Sequence, residues 1–147
     1  MKIFVLNGPS LNLLGIREPG IYGSESYESL LRKIEAYCLS EGIEVECYQS
    51  NHEGELVDII HKAFFAGVDG IVINPGAYTH TSIALLDAVK ATSLPTVEVH
   101  ISDVNAREDF RKISYIREGC IGTVSGHGTD GYLEAIELLL AHERNKK

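Results

Sequence analysis

The sequence predicts a single-domain α/β protein, a three-layer sandwich in which helices cover both faces of a five-stranded parallel sheet. Short β-branched runs alternate with amphipathic helical stripes about five times along the chain, which is typical of parallel sheets. The second predicted strand, 43–48, alternates apolar and acidic residues, as a strand with one wet face does. This pattern places strand two at an edge of the sheet.

The elements follow from local patterns. Strands are predicted at 3–6, 43–48, 70–73, 96–99 and 120–124. Apart from the alternating 43–48, these are short, mainly apolar runs beside turn residues. Helices are predicted where apolar residues recur every three or four positions, at 27–38, 56–64, 83–89 and 132–140. With strand two at an edge, this order favours the flavodoxin-like topology, with 1–147 as one domain.

Composition narrows the class of protein. The 147 residues are 44% hydrophobic and 23% charged, which provides a core without metals or disulfides. A net charge of -8 without a Lys/Arg cluster argues against nucleic acid and membrane partners. The three scattered cysteines and an N-terminal apolar run too short for a signal peptide or membrane span predict a cytoplasmic protein with free thiols.

One connection is far longer than the fold requires. The segment from Gly8 to Gly23 takes about sixteen residues between strand one and the first helix, where such connections usually take roughly 2 to 6. Long loops in compact domains are typically lids or binding loops. We therefore predict a lid over about 8–25, which carries Arg17 and Tyr22.

Polar side chains collect where the predicted strands end. Open α/β sheets bind their ligands at the carboxyl ends of the strands. The residues that follow the strands are Asn7, Asn74, His80 and His100, and the long loop adds Arg17 and Tyr22. This concentration predicts a single site in the crevice at that edge.

Each of these residues also has a structural explanation. His80 could lie near a helix start that Thr79 or Thr81 caps, and Asp87 further along is more often solvated than functional. His100 is harder to explain in this way, because a polar ring directly after a buried strand needs a partner. The histidines and cysteines lack the spacing of zinc ligands, so no metal site is predicted.

The candidate side chains suit proton transfer. Arg17 lies five residues before Tyr22, and a neighbouring cation favours the phenolate form of a tyrosine, which is a general base. A protonated His100 is a general acid, and asparagine or backbone donors can hold an oxyanion. The pattern predicts proton abstraction beside a carbonyl, with no cofactor required.

Other uses of the same fold are disfavoured. A phospho-receiver needs acidic residues after strand one and at the end of strand three, where this chain has Asn7 and Asn74. A flavin phosphate loop is rich in Ser, Thr and Gly, whereas this loop contains Pro9 and several leucines. Neither Gly-x-Gly-x-x-Gly nor a Walker motif follows strand one. A nucleotide or flavin module is a distant alternative.

Longer motifs run in order along almost the whole chain. They are NGPSLNLLG at 7–15, REP at 17–19 with YG at 22–23, QSNHEG at 49–54, NPGAYTHTS at 74–82, VHIS at 99–102, ARE at 106–108 and FR at 110–111. Together they resemble the type II 3-dehydroquinate dehydratases. The resemblance is specific, because several long motifs coincide in order and spacing.

The resemblance implies trans-dehydration of 3-dehydroquinate to 3-dehydroshikimate through an enolate, in the shikimate pathway to chorismate and aromatic amino acids. Tyr22 would accept the proton next to the ketone, Arg17 would stabilise the charged states, and His100 would protonate the departing hydroxyl. The residues that would hold the substrate are Asn74, His80, Asp87, Arg111 and the backbone around Ile101 and Ser102. The resemblance further implies a homo-oligomer, a dodecamer built as a tetramer of trimers.

The chain departs from the family pattern at several positions. Asparagine is usual where this chain has Ser10, and its side chain helps to hold the enolate or a water; Asn12 is a second candidate for that contact. Asp103 and Asn105 stand where Asn and His are more usual. The base, the acid and the arginine remain, so activity is expected. The alternative is a weakened relative that binds quinate-like acids without converting them.

Overall fold

Five parallel strands form the sheet in the computed structural model, which describes residues 1–16, 18–22 and 24–146 apart from the side chains of Pro19 and Tyr22. The strands are β1 (Lys2–Asn7), β2 (Glu44–Gln49), β3 (Gly70–Asn74), β4 (Thr96–His100) and β5 (Gly122–Ser125). Their order is β2-β1-β3-β4-β5, and neighbouring strands are parallel. The flavodoxin-like order, with strand two at an edge, is confirmed.

Helices connect the strands at the predicted places. They are α1 (Pro19–Tyr22), α2 (Tyr27–Ser40), α3 (Glu53–Phe65), α4 (Ile83–Thr92) and α5 (Asp130–Asn145). The four longer helices are the predicted ones, whereas α1 is a single short turn inside the long loop that the apolar pattern does not predict. Gly42 follows α2 with a φ of 70°, a conformation that favours glycine.

The start of α4 differs from the sequence-based interpretation. Ser82 is its N-cap, and the Ser82 Oγ accepts a hydrogen bond from the Leu85 amide at 2.9 Å. A cap by Thr79 or Thr81 is therefore wrong. Thr79 lies in the preceding 3-10 helix and is buried, which leaves its hydroxyl for another partner.

The strands β1 and β3 are buried on both faces of the sheet. Along β1, Ile3 and Val5 face the layer formed by α2 and α5, while Phe4 and Leu6 face the layer formed by α3 and α4. Successive side chains of a strand point to opposite faces, so a strand covered on both sides must be apolar throughout. This explains the uninterrupted apolar runs of β1 and β3.

The last strand begins later than the sequence predicts. The predicted strand starts at Cys120, but a 3-10 helix covers Ile116–Gly119 and β5 begins only at Gly122. The Cys120 thiol donates a hydrogen bond to the Ile116 carbonyl at 3.3 Å, which ties it to that 3-10 helix. Cys120 and Ile121 therefore belong to the connection between these elements, although their apolar side chains resemble the start of a strand.

The three cysteines are free thiols. Burial raises the pKa of Cys38 to about 11 and the pKa of Cys47 and of Cys120 to about 12. These thiols are therefore protonated near neutral pH and are poor nucleophiles.

Among the helices of the described residues, none combines the length and apolar character needed to cross a bilayer.

The parallel register brings the strand ends level with one another. Asn7 lies opposite Gln49 on β2 and Asn74 on β3. At the other side of the sheet, His100 lies opposite Ser125. The loops that follow these residues therefore meet at the same edge.

Candidate active site

A cavity of about 130 Å³ opens at the carboxyl edge of the sheet. It is lined by Pro9, Ser10, Leu11, Asn74, Gly76, Ala77, His80, His100, Ile101, Ser102, Val104, Arg107 and Arg111. These residues follow β1, β3 and β4, the strands whose ends meet there. The cavity therefore contains most of the described side chains that the sequence predicts for the site.

His100 is the last residue of β4, and it is 4% exposed. Its Nε2 hydrogen-bonds to the Oε2 atom of Glu98, two residues earlier on the same face of the strand. A carboxylate oxygen only accepts, so Nε2 carries a hydrogen and donates it. The other ring nitrogen, Nδ1, is then the atom available to a ligand in the cavity.

Glu98 is fully buried on β4, between β3 and β5. Its carboxylate accepts hydrogen bonds from His100, Arg117, Thr79, Ser114 and Thr123. Burial by itself would raise the pKa of Glu98, but the hydrogen bonds from His100, Arg117 and Ser114 outweigh burial and hold this pKa well below its usual range. Glu98 is therefore an anion at neutral pH.

A carboxylate beneath His100 has a chemical consequence. In the imidazolium form of the ring Nδ1 also carries a hydrogen, and Nε2 then makes a charge-assisted hydrogen bond to the Glu98 carboxylate. Such a ring can donate the Nδ1 proton into the cavity while Glu98 keeps its orientation. The geometry of this pair suits a general acid.

His80 offers a different kind of contact. Its Nδ1 lies 2.7 Å from the Ile113 carbonyl oxygen, which can only accept, so Nδ1 carries the hydrogen. Burial lowers the pKa of His80, and the positive charges of His100, Arg111 and Arg107 lower it further, against the effect of the carbonyl. A neutral His80 presents Nε2 as an acceptor for a ligand hydroxyl.

Two arginines give the cavity a local positive charge. The Nε of Arg111 is hydrogen-bonded to Glu108, and its guanidinium lies 5.1 Å from the centre of the Phe110 ring. Arg107 lines the same cavity, with Nη1 at 3.5 Å from the Ser102 hydroxyl. Guanidinium groups bind carboxylates well, so the cavity suits an organic acid although the whole chain is acidic.

Asn74 is fixed by a buried network. Its Nδ2 donates to the Tyr132 hydroxyl at 2.9 Å, and its Oδ1 accepts from the Gly76 amide at 3.1 Å. The Tyr132 hydroxyl in turn donates to Asn7 Oδ1 at 2.6 Å. Asn74 reaches the cavity wall, whereas Asn7 is fully buried and supports Asn74 from behind.

The first part of the long loop is held by the motif after β2. Ser10 has a φ of 68° and lines the cavity, and its amide donates to Asn51 Oδ1 at 3.0 Å. Gln49 Nε2 donates to the Gly8 carbonyl at 3.1 Å. A Cβ on Gly8 would lie 2.5 Å from the Pro75 carbonyl oxygen, so only glycine allows the loops after β1 and β3 to approach this closely.

Besides Asn7, four predicted site residues are not among those that line the cavity, two of them because their side chains lie outside the described part of the chain. Arg17 lies outside the described residues. Tyr22 is the last residue of α1, but its side chain lies outside the described part of the chain. Asn12 and Asp87 are exposed, and neither is among the described residues that line the cavity.

Sequence reasoning missed two residues of the site. Glu98 lies inside a run interpreted as apolar, and its signal was a single carboxylate two positions before His100 in a strand otherwise free of charge. Arg107 belongs to a recognised motif but was not proposed to contact the substrate. Arg107 and Arg111 are four residues apart, but this spacing does not predict that they share a site. Arg107 follows one short 3-10 helix and Arg111 lies in another, so the two are not on one face of a single helix.

Comparisons with known proteins agree with this geometry. Residues 1–140 match the family described as Dehydroquinase class II. A 3-dehydroquinate dehydratase of Caldicellulosiruptor bescii is 56% identical over 138 residues, which cover 94% of this chain and 95% of the relative. A 3-dehydroquinate dehydratase of Clostridium perfringens is 50% identical over 146 residues, which cover 99% of this chain and 100% of that protein.

Solved structures lead to the same family. The type II dehydroquinase of Butyrivibrio crossotus superposes with a TM-score of 0.94 at 57% identity, covering 95% of this chain and 97% of the other. A 3-dehydroquinate dehydratase-like protein of Bifidobacterium longum gives a TM-score of 0.70 at 30% identity, covering 96% and 98%. The chain belongs to the class II dehydroquinase family.

Proposed function

We propose that this chain removes water from 3-dehydroquinate to give 3-dehydroshikimate by trans-dehydration through an enolate, in the shikimate pathway to chorismate and aromatic amino acids. Family membership along almost the whole chain supports this activity. The observation that carries it is His100, which is held by an ionised Glu98 at the wall of a small cationic cavity. This pair supplies the acid that loss of a hydroxyl group requires.

The first step is removal of the proton next to the ketone. Tyr22, as a phenolate, takes this proton and becomes neutral, while the electron pair of the C–H bond moves onto the carbonyl oxygen to form the enolate. Arg17 stabilises the phenolate and the developing negative charge. The support for both roles is the match of 17–23 to the family motif and the place of Tyr22 in the loop that begins at the cavity.

The second step is loss of the hydroxyl group. The enolate electrons form the new carbon–carbon double bond as the C–O bond breaks, and the Nδ1 proton of His100 converts the leaving hydroxide to water. Tyr22 then holds one extra proton and His100 lacks one, so a transfer through solvent restores both residues. Glu98 remains ionised throughout and keeps Nε2 protonated.

Substrate binding follows from the cavity wall. Arg111, a neutral His80 and Asn74 are proposed to bind the substrate hydroxyls, and the backbone at Ile101 and Ser102 to receive its carboxylate. All five residues line one cavity, which supports this assignment. The residue that lies apart is Asp87. Asp87 is exposed on α4 and is not among the described residues that line the cavity, so its proposed contact is supported by the family motif alone.

Assembly and location are part of the same proposal. We infer a dodecamer, a tetramer of trimers, of a single catalytic domain with a lid over about 8–25, working in the cytoplasm. Large apolar side chains such as Phe65, Phe110 and Leu39 are 84%, 62% and 83% exposed in the single chain, as expected for surfaces that an assembly covers. Light scattering would test this, since a dodecamer has about twelve times the 16.1 kDa mass of the chain.

The activity is tested by following the ultraviolet absorbance of the conjugated enone after adding 3-dehydroquinate. Turnover is expected, and its absence in a folded sample would refute the proposed function. Tyr22→Phe removes only the ionisable oxygen, so it should abolish turnover while binding of a substrate analogue persists. A Tyr22→Phe variant with the full rate would show that the base is a different group.

Ser10 favours a second candidate function, binding without turnover. Its short side chain lies at the cavity wall where the family usually has asparagine, so the contact to the enolate or its water is weakened. Calorimetric binding of a quinate-like acid without enone formation would support this candidate. Ser10→Asn should then restore turnover, and an unchanged rate would remove the argument based on Ser10.

A further inference from the structure

The cluster beneath the cavity contains a second cation that the proposed steps do not use. Arg117 lies in the 3-10 helix Ile116–Gly119, and its Nε donates to Glu98 Oε1 at 2.9 Å. Its Nη2 lies 3.5 Å from Glu98 Oε2. Arg117 is not among the described residues that line the cavity, so its connection to the site runs through Glu98.

The two cations share one carboxylate, with His100 on Oε2 and the shorter of the two Arg117 contacts on Oε1. Oε2 accepts from His100, and also from the hydroxyls of Thr79 and Ser114 at 2.9 and 2.7 Å. Oε1 accepts from Arg117, and from Thr123 at 3.1 Å. Glu98 therefore bonds to His100 and Arg117 simultaneously, and neither has to move for the other to bind.

The charges of the cluster change when His100 gives up its proton. Before donation, two cations surround one buried anion, and after donation one cation and one anion remain. Without Arg117, donation would leave a buried carboxylate with neutral partners only, which is an expensive arrangement. Arg117 therefore stabilises the state that follows proton donation and adds repulsion to the state that precedes it.

We propose that Arg117 is a positioning residue that acts through Glu98 and makes His100 a stronger proton donor. The proposal rests on the role of His100 in the proposed function. It adds a residue outside the cavity whose charge, rather than contact with the substrate, sets the strength of the acid.

Other titratable groups near the pair do not replace Arg117. They are Cys120 beside Glu98, and His80, Arg107 and Arg111 on the cavity side. Burial raises the pKa of Cys120 to about 12, so this thiol is neutral. The cavity groups remain in place when Arg117 is changed, so their effect on His100 is common to all variants compared.

The test is the pH dependence of kcat in the enone assay. Arg117→Gln keeps a polar group that can donate to Glu98 but removes the charge. We expect the plateau of kcat to fall about three- to tenfold and its alkaline limb to move up by about one pH unit, because one neighbouring charge is worth about that much. KM should change less than about twofold, since Arg117 does not touch the substrate, and Arg117→Lys should return the limb towards its original position.

Two matched variants separate charge from structure. Ser114→Ala removes a neutral donor from Glu98, so it should move the limb by clearly less than Arg117→Gln does. Arg32→Met removes an exposed arginine on α2 and should leave the profile unchanged. Arg117→Met provides a second neutral variant if Arg117→Gln does not fold.

The outcomes separate the two proposals. An unmoved limb in a folded neutral variant, or an equal shift in Ser114→Ala, would overturn the role of Arg117 while the proposed function stands. Absence of turnover in the unmodified chain would overturn both. The role of Arg117 is supported if the alkaline limb of the kcat profile moves up in the neutral variants and returns towards its original position in Arg117→Lys.

Discussion

Tyr132→Phe is expected to destabilise the protein by removing one oxygen from its interior. The Tyr132 hydroxyl donates to Asn7 Oδ1 at 2.6 Å and accepts from Asn74 Nδ2 at 2.9 Å. Tyr132 and Asn7 are 0% exposed and Asn74 is 3% exposed. Burial also raises the pKa of Tyr132, so the hydroxyl keeps its hydrogen and its role as a donor.

The size of the effect follows from the groups left behind. Phenylalanine fills the same space, so no cavity forms, but Asn7 loses its donor and Asn74 loses an acceptor. A buried polar group without a partner costs about 1–3 kcal/mol, and removing the desolvated hydroxyl itself offsets part of this. We therefore expect the free energy of unfolding to fall by about 2–4 kcal/mol, a large part of the usual 5–15 kcal/mol or so.

Urea unfolding followed by circular dichroism measures this change, at one chain concentration because assembly contributes to stability. Tyr37→Phe is the matched control. Its hydroxyl makes an exposed 3.3 Å hydrogen bond to Glu137, and its loss should cost less than about 0.5 kcal/mol. Equal losses in the two variants would refute the argument that the buried amides depend on Tyr132. KM should also rise in Tyr132→Phe, because Asn74 at the cavity wall loses its fixed orientation.

Two further predictions concern stability. Gly8→Ala should lower the free energy of unfolding, measured by urea titration, by about 2–3 kcal/mol, because the new Cβ would lie 2.5 Å from the Pro75 carbonyl oxygen. The control is Gly54→Ala, whose Cβ would meet nothing within 4 Å and which should not be destabilising. Equal effects of the two substitutions would contradict this reasoning. Glu98 has a pKa well below its usual range, so its contribution is complete above the unfolded-state pKa of about 4.3 and declines as the pH falls below it. Glu98→Gln should therefore make the free energy of unfolding fall less steeply between about pH 4 and 2, whereas Glu118→Gln at the surface should not. If Glu98→Gln left this pH dependence unchanged, the result would count against an ionised Glu98.

Much of the fold could be predicted because its determinants are local. The alternation of acidic and apolar residues over 43–48 identifies an edge strand, and this one assignment fixes the sheet order once the helices are placed. Helix spacing is similarly readable. The start of β5 was predicted at Cys120 rather than Gly122, because the apolar Cys120 and Ile121 continue the pattern of the strand although they lie in the connection before it.

The site was less predictable, because it depends on partners far apart in the chain. His100 was identified as needing a partner, but Glu98 was not recognised as that partner. A carboxylate in a buried strand is stable only with donors, and its donors Arg117 and Thr123 lie 19 and 25 residues further on. Asn7 was predicted to belong to the site because it lies at a strand end. It is instead buried in the core, where it bonds to Tyr132, a residue 125 positions away in the chain.

The groups that donate to Glu98, Arg117 among them, also explain how an acidic chain can bind an anion. The chain carries a net charge of -8, and Glu98 lies directly beneath the cavity. An unpaired carboxylate there would repel the carboxylate of an organic acid through a low-dielectric interior, where charges interact strongly. His100, Arg117 and three hydroxyls donate to Glu98 and together offset its charge at close range, so Arg107 and Arg111 on the cavity wall dominate the field in the cavity. Because several donors share the compensation of Glu98, losing the charge of Arg117 alone should change the strength of the acid more than the binding of the substrate.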